Sequence, residues 1–410
     1  MRLRPGNKKS FHGGLDMPDK KNTKDLKTSA TVEIDNRASE LREISLRIHA
    51  NPELAFHEFQ ASAWLTEYLE QNGFTVSRGI YDMPTAFEAR YGSGRPAIAF
   101  LAEYDALKDI GHACGHNLIA CASVGAALGT KKILSSISGS IFVIGTPAEE
   151  VYGGKALMAD RGAFRQLDAA MLVHPDNADV ATARALACQG IDVEFIGKPA
   201  HAAAGPDRGI NALEAMLISF AAINSLRQHI RSTARVHGII TDGGQAVNVV
   251  PAHSSGSFLV RARDDTYLDE LKEKVMNCFV AGATATGAEL KYKWDEARYA
   301  TMRNNIPMAK LFQQNMRTLK RDPLLLEGGE AFGSTDMGNV SHIVPTIQPY
   351  VAIGKGASIH TREFAEASAS EDGIKGMLDA AKAMAMTAVD LLADRDIIDK
   401  VRADFDPEKG

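Results

Sequence analysis

Cysteine is scarce in this chain: four in 410 residues, Cys114, Cys121, Cys188 and Cys278. No two of them stand at the spacing of a zinc ribbon or of a thioredoxin-type redox pair, which argues against either device. Sparse, unclustered thiols suit a reducing compartment, so the expected location is cytoplasmic. Positive charge is not in excess either. Lys and Arg number 46 against 51 Asp and Glu, for a net charge of −5, and no basic stretch points to nucleic acid or an anionic membrane as a partner. No apolar run reaches membrane-spanning length. The first 30 residues lack the apolar core of a secretory signal. They read as a disordered, polar N-terminal arm, with Met17 a second candidate start. Internal repeats and low-complexity tracts are also lacking.

What is present is an ordinary globular composition, 45% hydrophobic and 24% charged. A chain of this length exceeds the size at which single cores stop growing, so two domains are expected. Helical spacing runs over 32–49 and 57–73, the second closing on Gly73. "RPAIAFLAEYDAL" (95–107), "GSIFVIGTPAEE" (139–150) and "DAAMLVHPDN" (168–177) read as buried strands with a small-residue helix over 118–134 between the first two. Apolar strands alternating with helices predict an α/β domain, a mostly parallel sheet with helices on both faces. Residues 187–298 then read β-α-β-β-α-β, the order of a ferredoxin-like α+β unit. The α/β pattern resumes with a helix at 305–320, a loop "GGEAFGSTDMGN", a strand "TIQPYVAIG" and a long helix around 372–394. The expected organisation is an arm (1–30), a discontinuous catalytic domain (31–186 and 299–398) and an inserted lid domain (187–298).

In parallel sheets, active groups collect at the carboxyl ends of strands. Three successive strand ends here carry Glu103/Asp105, Glu149/Glu150 and His174. Between the first two lies "GHACGHN" (111–117), where Cys114 and His116 sit in a glycine-bounded turn. Thiolate and imidazole both bind divalent metals, and a tight loop can aim both at one point. Taken singly, a structural histidine turn and a solvated acidic loop remain alternatives. As a set, Cys114, His116, Glu150, His174 and His360 supply about as many ligands as a two-metal centre needs once waters are added. Glu149 is then left for proton transfer.

Seven separated motifs, "AEYDAL…GHACGHN", "GTPAEE", "HP", "GKPAHAA", "GGQAVNVVP", "GSTDMGNVS" and "IHTREF", fall in the order seen in aminoacylase and acetylornithine-deacetylase type dinuclear metallopeptidases. The chain resembles that family over about residues 35–395. It is most similar to the amidohydrolase branch of indole-acetyl-amino-acid hydrolases, aminobenzoyl-glutamate hydrolase and β-alanyl-lysine dipeptidase-like proteins. The resemblance implies two divalent metal ions per subunit, zinc or manganese with cobalt possible, held by Cys114, His116, Glu150, His174 and His360. It implies Glu149 as the catalytic base and Asp105 as the acid that orients the site. His201 would reach a neighbouring subunit's substrate and hold the oxyanion, which implies a homodimer or higher homo-oligomer through the inserted domain. His237, Asn248 and Arg261 are weaker substrate-binding candidates, Arg261 for a substrate carboxylate. One departure is Asn117, where many relatives have aspartate; it leaves the native metal and ligand geometry open.

The activity so implied is hydrolysis of the amide of a small N-acyl amino acid, dipeptide or aminobenzoyl-amino acid by a metal-activated water. The same site is compatible with removing an amino group from an activated aromatic amine, which would release ammonia. A non-catalytic binding protein on the scaffold would be expected to have lost the base or a ligand.

Overall fold

A computed structural model of the chain describes residues 23–326, 333–354 and 356–405. Most of the expected arm and residues 328–332 of the "GGEAFGSTDMGN" loop therefore lie outside the described residues. Helix α1 (Thr23–Asn36) begins inside the stretch expected to be an arm. Leu26, Ala30 and Ile34 recur on one face and are buried, which gives this segment an amphipathic anchor. The helix expected over 32–49 is broken at Arg37, where α2 (Ala38–Ala50) begins a new axis. Helix α3 (Phe59–Gln71) stops before Gly73, whose φ of +79° suits a residue without a Cβ.

Strands β1 (Thr75–Arg78), β2 (Phe87–Ser93) and β3 (Ala97–Ala102) precede helix α4 (His116–Ile133) and strand β4 (Gly139–Gly145). Short helices α5 (Glu149–Tyr152) and α6 (Gly154–Asp160) lead to strands β5 (Ala169–Met171) and β6 (His174–Asp176). The central sheet has the order β1-β2-β4-β3-β5 and ends on β11 (Thr346–Ile347). From β4 to β11 its pairings are parallel, while β1 and β2 form an antiparallel edge. Strands β3 and β4 are buried along their whole length, as a sheet covered on both faces requires. One face is covered by α1, α2, α4 and the later helices α9 (Ile306–Thr318) and α12 (Glu371–Ala393). The other is covered by α6 and α10 (Met337–Ser341).

The two strands expected over 168–177 and 346–354 are each split. β6 leaves the central sheet and pairs in parallel with β12 (Tyr350–Ala352). Pro349 stands between β11 and β12 and has no N–H for the ladder, so the strand is interrupted there; the pairing then resumes in the same register, the His174 N–H donating to the Pro349 carbonyl.

Residues 187–294 form the second sheet. Strands β7 (Ala187–Ile196), β8 (Arg235–Asp242), β9 (His253–Ala262) and β10 (Glu289–Trp294) lie in the order β10-β7-β9-β8, all antiparallel. Helices α7 (Ala212–Leu226) and α8 (Asp265–Thr286) pack on one face around Phe195, Phe258 and Phe279. Strand β9 alternates buried and half-buried residues along its length, the signature of a sheet with one dry face. Element order and strand order are those of a ferredoxin-like sandwich. Helices α11 (Arg362–Ala367) and α13 (Arg395–Asp404) complete the described chain.

Candidate metal centre

The parallel register brings the carboxyl ends of β3, β4 and β5 to one edge of the sheet, and the segments leaving them carry the titratable groups. Asp105, just beyond β3, is buried and spans two of the others. Its Oδ1 lies 3.0 Å from His116 Nδ1, and its Oδ2 accepts from the Glu150 backbone N–H at 3.0 Å. With Nδ1 engaged by a carboxylate, the free imidazole nitrogen is Nε2. That atom is buried and has no hydrogen-bond partner; Glu103 Oε2 is 3.5 Å away and Glu150 Oε1 3.8 Å.

Cys114 and His174 meet with Sγ 3.3 Å from Nε2, and the other ring nitrogen of His174 donates to the Pro175 carbonyl at 2.7 Å. Glu150 turns Oε2 toward His360 Nε2 at 3.4 Å, while its Oε1 is buried without a partner. His360 itself is more than half exposed and sits in a left-handed turn, φ +67°, before α11. Three donor groups result: Cys114/His116/His174, Cys114/Glu150/His360 and His116/Glu149/Glu150, each with its ligand atoms within 4.8 Å of one another.

Local sequence explains how these atoms converge. Gly115 has φ +75°, and a Cβ there would come 2.5 Å from Pro175 Cγ, so only glycine lets the Cys114–His116 turn lie against the His174 segment. Ala148 is held at φ +61°, with its N–H donated to Glu58 Oε1 at 2.9 Å. This kink turns the chain from β4 into α5, whose first two residues are Glu149 and Glu150.

Electrostatics mark the cluster as an acid-rich, largely buried site. Burial pushes the Glu149 carboxyl well above its ordinary range, reinforced by the negative charge of Glu103, Asp336 and Glu150. Burial also raises the Cys114 thiol and lowers His174. At His116 burial acts downward, but Asp105 and Cys114 outweigh it and the net direction is well up. A buried imidazole nitrogen and a buried carboxylate oxygen without partners are costly, on the order of 1–3 kcal/mol each. Soft and hard donors together, two orphaned atoms between them and excess negative charge fit divalent cations.

Beside the cluster opens a cavity of about 740 Å³, lined in part by Cys114, Glu149, His174, Arg261, Tyr350 and His360. Arg261, on β9, points its guanidinium at the other unit and donates to Ser334 Oγ at 2.8 Å. His201, His237 and Asn248 are not among the described residues that line it. His201 is exposed, its Nδ1 accepting from the Ala203 and Ala204 N–H groups at 3.2 Å each. Asn248 neighbours it, its carbonyl accepting from Ala202. His237 is exposed on β8 opposite Leu259.

Sequence reasoning passed over Lys155 and Asp336, and kept Glu103 out of the site. Lys155 is fully buried, its Nζ 2.5 Å from Glu103 Oε1 and 2.6 Å from Asp336 Oδ1. The usable signal was a lone lysine within the apolar stretch "GGKALMA" and an aspartate inside "GSTDMGN". Tyr299, whose hydroxyl donates to the Glu149 carbonyl at 2.8 Å, had no sequence signal at all.

Known proteins bear on this arrangement. Residues 99–383 match Peptidase family M20/M25/M40. The chain is 38% identical to mouse Xaa-Arg dipeptidase, over 93% of this chain and 92% of the relative. It is 31% identical to one of the component chains of the p-aminobenzoyl-glutamate hydrolase of Escherichia coli K12, over 87% of this chain and 90% of that one. Among solved structures, a putative aminohydrolase from methicillin-resistant Staphylococcus aureus superposes with a TM-score of 0.74 at 19% identity, over 89% of this chain and all of that one. A Bacillus subtilis protein described as a dinuclear metal binding peptidase of the M20 family does so at 0.66 and 18%, over 87% and 99%. Both likenesses are of fold. The family match, the two full-length relatives and the donor cluster at the sheet edge agree, and the chain belongs to peptidase family M20/M25/M40 as a metal-dependent hydrolase of amide C–N bonds.

Proposed function

We propose that the chain hydrolyses the amide bond of a small dipeptide or N-acyl amino acid, with Glu149 as general acid–base. The observation that carries this reading is the convergence of Cys114, His116, Glu150, His174 and His360, with two buried donor atoms left unpaired and Glu149 beside them. Cys114, His116 and His174 would hold one cation and Glu150 and His360 a second, with a donor shared between them; zinc or manganese suits the set, and cobalt is compatible. Bound there, divalent metal supplies Lewis acidity, polarising the carbonyl and lowering the pKa of water from about 15.7 toward about 7.

The remaining steps belong to this chain's residues. Asp105 fixes the His116 ring and the Glu150 backbone, so the donors are set before substrate arrives. Glu149, adjacent to Glu150 but in a different direction along α5, takes the proton of the attacking water and returns it to the leaving amine. Arg261 faces the same cavity and would pair the substrate carboxylate. His201 lies outside the cavity of its own subunit, which accords with a role across a homodimer, where it would donate to the developing oxyanion. A cytoplasmic, homodimeric enzyme is the reading that suits these features together. Among the described residues no helix is long and apolar enough to cross a membrane.

Relatives that act on Xaa-Arg dipeptides and p-aminobenzoyl-glutamate favour a peptide-like substrate with a free carboxylate. The test is a panel of Xaa-Arg and β-alanyl dipeptides, N-acyl amino acids, p-aminobenzoyl-glutamate and activated anilines on metal-loaded protein. Both released amino acid and released ammonia are scored. Amino acid release is expected. Ammonia from an aniline with every amide intact would overturn the reading.

A further inference from the structure

Lys155 is fully buried between two carboxylates, and the ion triple so formed extends in both directions. Toward the donor cluster, Glu103 Oε2 stands 3.5 Å from His116 Nε2. Toward the cavity, Asp336 receives both the Lys155 ammonium and the Lys155 backbone N–H, the latter at 2.8 Å. Asp336 closes the short turn 333–336, which is further fixed by Thr335 Oγ1 donating to Gln348 Oε1 at 3.2 Å and accepting from the Met337 N–H at 3.2 Å. Helix α10 behind it cannot shift freely, since a Cβ on Gly338 would already lie 2.0 Å from the Ala300 carbonyl oxygen. The same turn presents Ser334, whose Oγ accepts from Arg261 across the boundary between the two sheets. Ion pairs therefore join Glu103, Lys155 and Asp336, and from Asp336 the backbone of the turn leads to Ser334 and its hydrogen bond with Arg261.

We propose that Lys155 is a positioning residue for substrate recognition: by pinning Asp336 it sets the 333–336 turn, and through Ser334 it holds Arg261 over the cavity. One buried ammonium thus ties the strand end behind the donor cluster to the arginine that pairs the substrate carboxylate. The inference rests on the reading of Arg261 as that carboxylate's partner. Removing a partner from a buried ion group is costly because it strands the remaining charge. Neutralising Asp336 is gentler than deleting Lys155, since Glu103 still pairs the ammonium.

The experiment uses the metal-loaded full chain carrying Asp336→Asn or Ser334→Ala, each also in an Arg261→Met background. Three quantities are read: hydrogen–deuterium exchange of segments 257–263 and 333–341, metal stoichiometry, and kcat and KM for an N-acyl amino acid and its carboxamide. Asp336→Asn should speed exchange in both segments and keep the wild-type metal count. It should raise KM for the acid about tenfold, the scale of one lost charge-assisted contact, and leave the carboxamide within about twofold. Ser334→Ala, which leaves the buried ions intact, should reproduce the KM effect without loosening 333–341. Neither change should add to Arg261→Met. Unchanged exchange at 257–263, or an equal rise in KM for acid and carboxamide, would overturn the positioning role; a kcat change common to both substrates reports only the altered charge near Glu149. A wild-type enzyme that treats acid and carboxamide alike would instead reject Arg261 as the carboxylate partner, and the exchange data would still decide whether the Lys155–Asp336 pair holds it in place.

Discussion

Glu149 and Glu58 show how far single carboxyls in this site depart from their solution behaviour. Glu149 is proposed to move a proton and not to hold metal, so Glu149→Gln should retain bound metal and lower kcat about 10²–10⁴-fold, the range of a positioned general base. Metal analysis beside steady-state kinetics checks this; unchanged turnover would remove Glu149 from the mechanism. Glu58 is buried beneath the site and accepts from the Phe56 and Ala148 N–H groups and the Thr85 hydroxyl. Burial, with the Asp105 charge second, pushes its carboxyl up from 4.5 to about 7. A raised carboxyl pKa means the folded chain binds a proton that the unfolded chain has released. Between pH 4.5 and about 7 this contribution to stability is therefore lost as pH rises. For metal-free protein, denaturant melts across that window should show a decline of up to about 3 kcal/mol from this group. Glu58→Gln should flatten that part of the profile, and an equal slope in the variant would contradict the assignment.

Elements were legible where periodicity carried the information, and illegible where it was shared or interrupted. Strands β3 and β4 announced themselves as continuous apolar runs, and the groups following their carboxyl ends could be named before any contact was known. The split of "DAAMLVHPDN" and "TIQPYVAIG" into two short strands each could not be read, because it depends on which partner stands opposite Pro349 in space. Helix α1 was missed because its apolar positions are diluted by lysine and threonine, and only packing on α4 and α12 reveals the face. Lys155 was missed for a related reason: sequence does not distinguish a lysine covering a helix surface from one enclosed by two carboxylates. At the level of elements, the tightest constraint is the Gly115 turn. Gly115→Ala must force a left-handed Cβ and displace Pro175, whose neighbour is His174. The expected cost is roughly 1–3 kcal/mol of stability together with weaker metal binding, read by denaturation and chelator competition. Loss of stability with undiminished metal affinity would show that the turn does not set the donor geometry.

For the whole molecule, the two units divide the work. The mostly parallel sheet assembles the donors, and the four-stranded unit contributes Arg261 to the cavity between them while keeping His201 on its exposed side. The order of strands and helices along the chain is legible in the sequence, since it depends on local pattern alone; the path through Lys155 depends on tertiary packing and is not. If the cluster is a metal centre for amide hydrolysis, turnover should follow the ions it binds. The most direct measurement titrates zinc or manganese into chelator-stripped protein while bound ions per chain and the initial rate on a cleaved dipeptide are read together. The expected result is a rate that is absent at zero occupancy and reaches its plateau at two ions per chain, with His116→Ala failing on both axes. A rate independent of occupancy, or full occupancy in His116→Ala, would contradict it.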